Sequence, residues 1–238
     1  MSCKGFDPEV TNQPSNKQPG DKQPLRVVVL ISGSGSNLQA LIDGQQSGAL
    51  PIEIVAVISN RPDVFGLERA RQAGLSARLL DHKGFANREA FDQALMALID
   101  EYQPGLVVLA GFMRILTPTF TAHYLGRMLN IHPSLLPAYQ GLHTHQRVLD
   151  AGERYHGVTV HFVTAELDGG PPVVQARLTI RPDDDASSLA KRIQTQEHHI
   201  YPLAVGWFAQ GRLQMRDGRA LLDGEPLPPQ GHLIEVTD

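Results

Sequence analysis

Apolar positions along this chain alternate between two textures. Short unbroken runs, rich in β-branched residues, occur at Leu25–Ile31, Ile52–Ile58 and Leu106–Ala110, with a fourth at Leu129–His132. A weaker one lies around Ser76–Leu80. Runs of this kind read as strands buried on both faces. Between them apolar residues recur at three- and four-residue spacing, which predicts helices. One begins at Leu38-Gln39-Ala40-Leu41-Ile42 and a short one spans Gly66 to Ala73. A long one follows Asn87, with Phe91, Leu95, Leu98, Ile99 and Tyr102 on one face, Asn87 as its cap and Pro104-Gly105 as its stop. Strand and helix in regular alternation predict an α/β fold, a mostly parallel twisted sheet flanked by helices.

The pattern changes after Pro137. Gly157–Thr164 alternates Val158, Val160 and Phe162 against Thr159, His161 and Val163, as an antiparallel-type strand does. Val173–Ile180 pairs back on it as a hairpin. Antiparallel strands are therefore added in the C-terminal half. Pro182-Asp183-Asp184-Asp185 opens a last long helix with the stripe Leu189, Ile193, Ile200, and Pro202 ends or kinks it before Trp207. A small hairpin, Leu213–Met215 with Ala220–Leu222, closes the series.

Candidate chemistry sits at the ends of the strands. Ser32-Gly33-Ser34-Gly35-Ser36-Asn37 joins the first strand to a helix, where backbone N–H groups gather at the positive helix end. Leu38 stands where the third glycine of a dinucleotide fingerprint should be, and there is no lysine of a triphosphate loop. A small phosphate site and a plain tight turn both remain. On the fifth strand Asn130 and His132 share one face, and Pro133 ends the ladder just beyond them. They could satisfy backbone groups at the strand end, or stand beside a substrate at the sheet's carboxyl edge. Gly111-Phe112-Met113-Arg114-Ile115-Leu116 leaves the same edge; Phe112 and Met113 are core or pocket. Gly141-Leu142-His143-Thr144-His145 offers two imidazoles on one strand face, but no third ligand with zinc spacing follows, so no metal is expected. Gln196 and Glu197 interrupt the last helix's apolar stripe. A carboxylate there costs several kcal/mol unless partnered, about the penalty for a buried ion, and either an internal partner or a ligand would supply the balance.

Composition narrows this further. The chain has 238 residues, 42% apolar and 19% charged, an ordinary soluble balance. Residues 1–24 carry Pro8, Pro14, Pro19 and Pro24 with almost nothing apolar, and are expected to be a disordered extension before one domain over 25–238. A net charge of -4 argues against a surface built for nucleic acid. Cys3 is the single cysteine, and no apolar run is long enough to span a bilayer. A cytoplasmic protein without nucleic-acid or membrane partners is the simplest expectation.

Asn130-Ile131-His132-Pro133-Ser134-Leu135-Leu136-Pro137, followed by the Asp168-Gly169-Gly170 loop, resembles the formyltetrahydrofolate-dependent formyltransferases. The likeness extends through Ile31–Gln39, Phe65–Ala70, Leu109–Leu116, Gly141–His145, His161–Thr164, Glu166–Gly170 and Gln194–His198, nearly everything from 26 to 230. It is fullest to members acting on glycinamide ribonucleotide in purine synthesis. The resemblance implies a Rossmann-like N-terminal half that holds the ribotide and a C-terminal half that holds folate. It implies transfer of the formyl group of 10-formyltetrahydrofolate, the co-substrate, to the ribotide's amine. Asn130 would stabilise the oxyanion, His132 would act as general acid, and Asp168 would favour its imidazolium. Gly35, Ser36, Asn37, Gln194 and Glu197 would hold the ribotide. Arg88, Met113, Arg114, Ile115, Leu116, Asn130, Thr164, Ala165, Glu166, Leu167 and Asp168 would form the folate site. Arg88 would meet the folate's carboxylate tail, although on the residues alone it reads as a solvated charge. A monomer or a homodimer would serve.

Methionyl-tRNA formyltransferase shares the Asn-x-His and Ser-Leu-Leu-Pro features but normally adds a basic RNA-binding domain, for which the chain shows no basic stretch. A formyltetrahydrofolate hydrolase would be expected to add an N-terminal regulatory domain, for which 24 polar residues leave no room. A non-catalytic nucleotide-binding module shares the sheet and the glycine loop. It gives no reason for Asn130, His132 and Asp168 together.

Overall fold

Val27, Val29 and Ile31 point to one side of the first strand, Val28 and Leu30 to the other, and all five are fully buried. A strand apolar on both faces must lie inside a sheet covered on both sides. A computed structural model describes residues 23–237 and shows that arrangement. The N-terminal extension therefore lies outside the described residues, apart from Gln23 and Pro24.

In chain order the first half contains β1 (Leu25–Ile31), α1 (Ser36–Gln46), β2 (Ile52–Ser59), α2 (Phe65–Gln72), β3 (Ala77–Leu79), α3 (Arg88–Asp100) and β4 (Leu106–Leu109). Then follow α4 (Pro118–His123), β5 (Met128–His132), α5 (Thr144–Asp150), β6 (Tyr155–Phe162), β7 (Pro172–Thr179) and α6 (Ala186–Ala209). The chain closes with β8 (Leu213–Arg216), β9 (Arg219–Leu222), β10 (Glu225–Pro226) and β11 (His232–Glu235). The main sheet has eight strands in the order β11-β7-β6-β5-β4-β1-β2-β3, and β8, β9 and β10 form a small second sheet. Strands β3, β2, β1, β4 and β5 are parallel, whereas β6 runs antiparallel to both β5 and β7. The expected α/β sheet, parallel first and antiparallel later, is what forms.

Each face has its own core. Val27, Val29 and Ile31 pack with Leu38 and Leu41 of α1, Leu67 of α2, and Ile193, Tyr201 and Val205 of α6. Val28 and Leu30 pack with Phe91, Leu95 and Ile99 of α3 and with Phe120 of α4. The Asn87 side chain caps α3 by accepting from the Ala90 N–H at 2.8 Å. Succession runs outward from β1 through β2 to β3, and the other way from β4 to β5. The order reverses between β1 and β4, and crevices open at the carboxyl ends of strands flanking such a point.

Four expectations need correcting. The stretch Gly141–His145 is not a strand: His143 precedes α5 with φ 58°, and Thr144 begins the helix, so His143 and His145 share no strand face. The helix α6 does not end at Pro202 but runs on to Ala209. Proline removes one N–H bond there, and burial of Tyr201, Ala204 and Val205 holds the helix together beyond it. The helix α1 begins at Ser36, before Leu38. Finally, β6 ends at Phe162, so Val163 and Thr164 belong to the following loop. The strand β11, which adds to the sheet edge beside β7, carries no pattern strong enough to have been expected.

Candidate active site

Antiparallel pairing sets Asn130 of β5 directly opposite His161 of β6, so their side chains lie side by side on one face. His161 Nδ1 is 2.8 Å from the Phe162 carbonyl, which can only accept, so Nδ1 carries the proton. Burial drives His161 below the ordinary histidine range; the Phe162 bond and Asp168 oppose this, and His132 adds to it. The ring is therefore neutral near pH 7, with a lone pair on Nε2. Asn130 Nδ2 donates to that lone pair at 3.2 Å, which fixes which end of the amide is nitrogen. His161 was not among the residues expected to matter. Its signal is a strand register, which the chain's pattern alone does not reveal.

His132, two residues along β5, is 6% exposed. Its Nε2 donates to the Tyr139 carbonyl at 3.0 Å, and its Nδ1 lies 3.5 Å from Asp168 Oδ2. Asp168 stands on the loop after β6 with φ 50°, its side chain 10% exposed, and its Oδ2 also accepts from the Gly141 N–H at 3.0 Å. Asp168 Oδ1 is 4.0 Å from His161 Nε2. One carboxylate thus faces two imidazoles. With Nε2 committed to a carbonyl, Nδ1 is the position from which His132 can give a proton to anything beside Asp168.

A cleft runs away from this group. It is lined by Phe112, Arg114, Ile115, Leu116, Asn130, His161 and the loop 163–168. Nine of the expected folate residues therefore line one cleft: Arg114, Ile115, Leu116, Asn130, Thr164, Ala165, Glu166, Leu167 and Asp168. Arg88 and Met113 are not in its lining. Arg88 sits in the first turn of α3 beside Glu89 (3.6 Å), and Met113 is 58% exposed while its N–H donates to Ser32 Oγ. Arg114 lies over the Phe91 ring, and its Nε is buried without a protein partner. An apolar wall, loop backbone and a half-buried arginine with an unpartnered Nε suit a flat heteroaromatic ligand with a charged end.

The second cluster lies at the turn after β1. Gly35 has φ 72°, and a Cβ there would come within 2.8 Å of Gly66 Cα, so only glycine lets α2 approach the turn this closely. Gly66 N–H donates to Gly33 O, and Arg69 Nε donates to Ser34 O at 2.9 Å. From α6, Glu197 accepts from Asn37 Nδ2 at 2.7 Å and Gln194 donates to Ser36 Oγ at 3.1 Å. All five expected ribotide residues therefore come together, across α1 and α6. Burial pushes the Glu197 carboxyl up, against the Asn37 hydrogen bond. The internal partner for Glu197 is thus Asn37. Ser32 Oγ, which donates to Asn60 and accepts from Met113 N–H, links this turn to the loop beside the cleft.

Residues 25–205 match the family model described as formyl transferase. The chain is 55% identical over 211 residues to the phosphoribosylglycinamide formyltransferase of Escherichia coli, covering 89% of this chain and 100% of that protein. The Haemophilus influenzae protein of the same name is 47% identical over 210 residues, with 88% and 99% covered. Among solved structures, the phosphoribosylglycinamide formyltransferase of Coxiella burnetii superposes with a TM-score of 0.85 at 54% identity, covering 88% of this chain and 99% of that one.

Proposed function

The chain belongs to the formyl transferase family, and on that premise we propose that it transfers the formyl group of 10-formyltetrahydrofolate to the amine of glycinamide ribonucleotide. The products are formylglycinamide ribonucleotide and tetrahydrofolate, a step of purine biosynthesis. The observation that carries the reading is that Asn130 and Asp168 line the cleft, Asp168 faces His132, and the His132 imidazole acts electrostatically on Glu197, the partner of Asn37 beside the glycine turn. Two ligands, one in each place, would meet there.

The chemistry follows from those positions. The amine nitrogen bonds to the formyl carbon and the carbonyl oxygen gathers negative charge. The Asn130 amide, its nitrogen already oriented by His161, donates toward that oxygen, an effect worth about 3 kcal/mol per donor. Breaking the bond from carbon to the folate nitrogen needs a proton on that nitrogen, while the attacking amine sheds one. His132 Nδ1–H supplies the first beside the Asp168 carboxylate, and the amine's proton goes back to the Nδ1 so emptied, directly or through water, so that the proton count closes. The backbone N–H groups of the Gly35–Asn37 turn face the ribotide phosphate at the start of α1, and Glu197 and Gln194 face its sugar or amine. Arg114, inside the cleft, takes the role of folate anion partner in preference to Arg88.

We read residues 25–238 as one formyltransferase domain, since both halves share the eight-stranded sheet. No helix among the described residues is long and apolar enough to cross a membrane. Small molecules suffice as partners, a monomer or homodimer suffices as the working unit, and the cytoplasm supplies both substrates.

The deciding assay supplies 10-formyltetrahydrofolate with glycinamide ribonucleotide, with methionyl-tRNA, or with water alone. Tetrahydrofolate should appear quickly with the ribotide only. Equal release without an acceptor would make the protein a hydrolase and sink the proposal.

A further inference from the structure

The loop from Tyr139 to Leu142 carries polar backbone groups on two sides. Inward, the Tyr139 carbonyl accepts from His132 Nε2 and the Gly141 N–H donates to Asp168 Oδ2, each at 3.0 Å. Outward, the carbonyls of Gln140 and Leu142 both accept from Arg147 Nη1, at 2.7 and 3.2 Å. Four consecutive residues thus touch the His132–Asp168 couple and one guanidinium alternately. The same guanidinium, carried by α5, lies 5.4 Å from the Tyr139 ring centroid.

This loop does not hold its shape by regular structure. Tyr139 has φ 56° and Gly141 φ 81°, and a non-glycine residue in the left-handed region costs on the order of 1–3 kcal/mol. Such a backbone persists only when its surroundings fix it. The Ser134 hydroxyl fixes one end by donating to Ala138 O, and the Tyr139 hydroxyl donates to Glu153. At residues 140 and 142 the partner is Arg147.

We infer that Arg147 is a positioning residue: it clasps residues 139–142 from outside and so sets the distance and angle between His132 and Asp168. The inference rests on the reading of that couple as the proton-transferring pair. Arginine is suited to this because its planar head can span two carbonyls and lie against an aromatic ring at once. A Lys ammonium could still donate to both carbonyls, but it lacks the planar guanidinium face that lies over the Tyr139 ring while one nitrogen holds the two carbonyls.

The test uses the full-length protein and three variants, Arg147→Ala, Arg147→Lys and, as a control, Arg154→Ala. Arg154 also lies over a tyrosine ring, that of Tyr155, but holds no loop carbonyl with its guanidinium. Two quantities are read: amide hydrogen exchange at Gly141, and kcat with KM for the ribotide. In Arg147→Ala, Gly141 exchange should rise about tenfold or more while Val160, inside β6, stays protected. kcat should fall roughly tenfold, as expected when a reacting group is misplaced by a fraction of an ångström, with KM for the ribotide within about twofold. Arg147→Lys should fall between, and Arg154→Ala should match wild type. Unchanged Gly141 exchange and kcat in Arg147→Ala overturn the clasp, and so does an exchange increase that spreads through β6. If wild type transfers no formyl group yet Gly141 still loosens in Arg147→Ala, the clasp stands and the reading of the reaction falls.

Discussion

The Glu197 carboxylate accepts a 2.7 Å hydrogen bond from the Asn37 amide, tying the longest helix to the first. Burial raises the Glu197 carboxyl and the Asn37 bond lowers it, with burial the larger effect. The sign for stability follows. Below about pH 4 the group is protonated both folded and unfolded and costs nothing. As pH rises past that point the unfolded chain ionises first, so stability falls. Glu197→Gln should therefore raise Tm at pH 7.5, keep the Asn37 contact, and lose its advantage by about pH 4. It should also weaken ribotide binding. Thermal melts at the two pH values check the first claim; a lower Tm at pH 7.5 would show that the charge is stabilised by more than burial costs it.

Histidines impose an opposite acid limit. His156, 1% exposed, is pushed down to about 4 by burial and by the neighbouring imidazoles of His145 and His132. Its depressed folded value means that the fold is favoured above about pH 6.5 and loses that contribution as pH falls toward 4, by up to about 1.4 kcal/mol per unit. His156→Gln keeps a polar group near His145 Nδ1, which lies 2.9 Å from His156 Nε2. The variant should show a flatter fall of Tm between about pH 6.5 and 4.5. A slope as steep as wild type would assign the acid loss to other groups.

His132→Ala should lose about 10²–10⁴-fold in kcat, the usual worth of a positioned acid, with ribotide KM within about twofold. The turn proposed to hold the phosphate is tied by hydrogen bonds among residues of β1–α1, α2 and α6, none of which involves His132. Near-normal turnover would remove His132 from the proton chemistry.

Asp168→Asn should lower kcat well beyond KM, because it removes the charge facing the His132 ring while leaving an oxygen for the Gly141 N–H. Asn130→Ala should also lower kcat, by about 10²–10³-fold, through loss of an oxyanion donor. Steady-state kinetics with both substrates varied separates these from binding defects. Wild-type kcat in Asp168→Asn would leave the residue as a loop anchor only.

Removing the ribotide's phosphate should weaken binding steeply, since charge-assisted hydrogen bonds contribute roughly 1.5–3 kcal/mol each. Calorimetric titration of glycinamide ribonucleotide against its unphosphorylated riboside measures this. Equal affinities would move the anion site away from Gly35–Asn37.

Much of this protein was legible in the chain itself. The unbroken run Val27–Ile31 required a sheet buried on both faces, and the glycine-rich turn and the Asn130-x-His132 spacing placed two clusters at its carboxyl edge. Those features are local: they depend on side-chain periodicity and on what a few adjacent residues can do with their backbone. Tertiary structure alone decided the rest. It paired Asn130 with His161 across two strands, brought Glu197 to Asn37, left Arg88 and Met113 outside the cleft, and carried α6 through Pro202. Each of these depends on strand register or on packing between segments far apart in sequence. Local pattern does not encode register to the residue, and the free energy of burial in a shared core overrides a single helix-breaking proline.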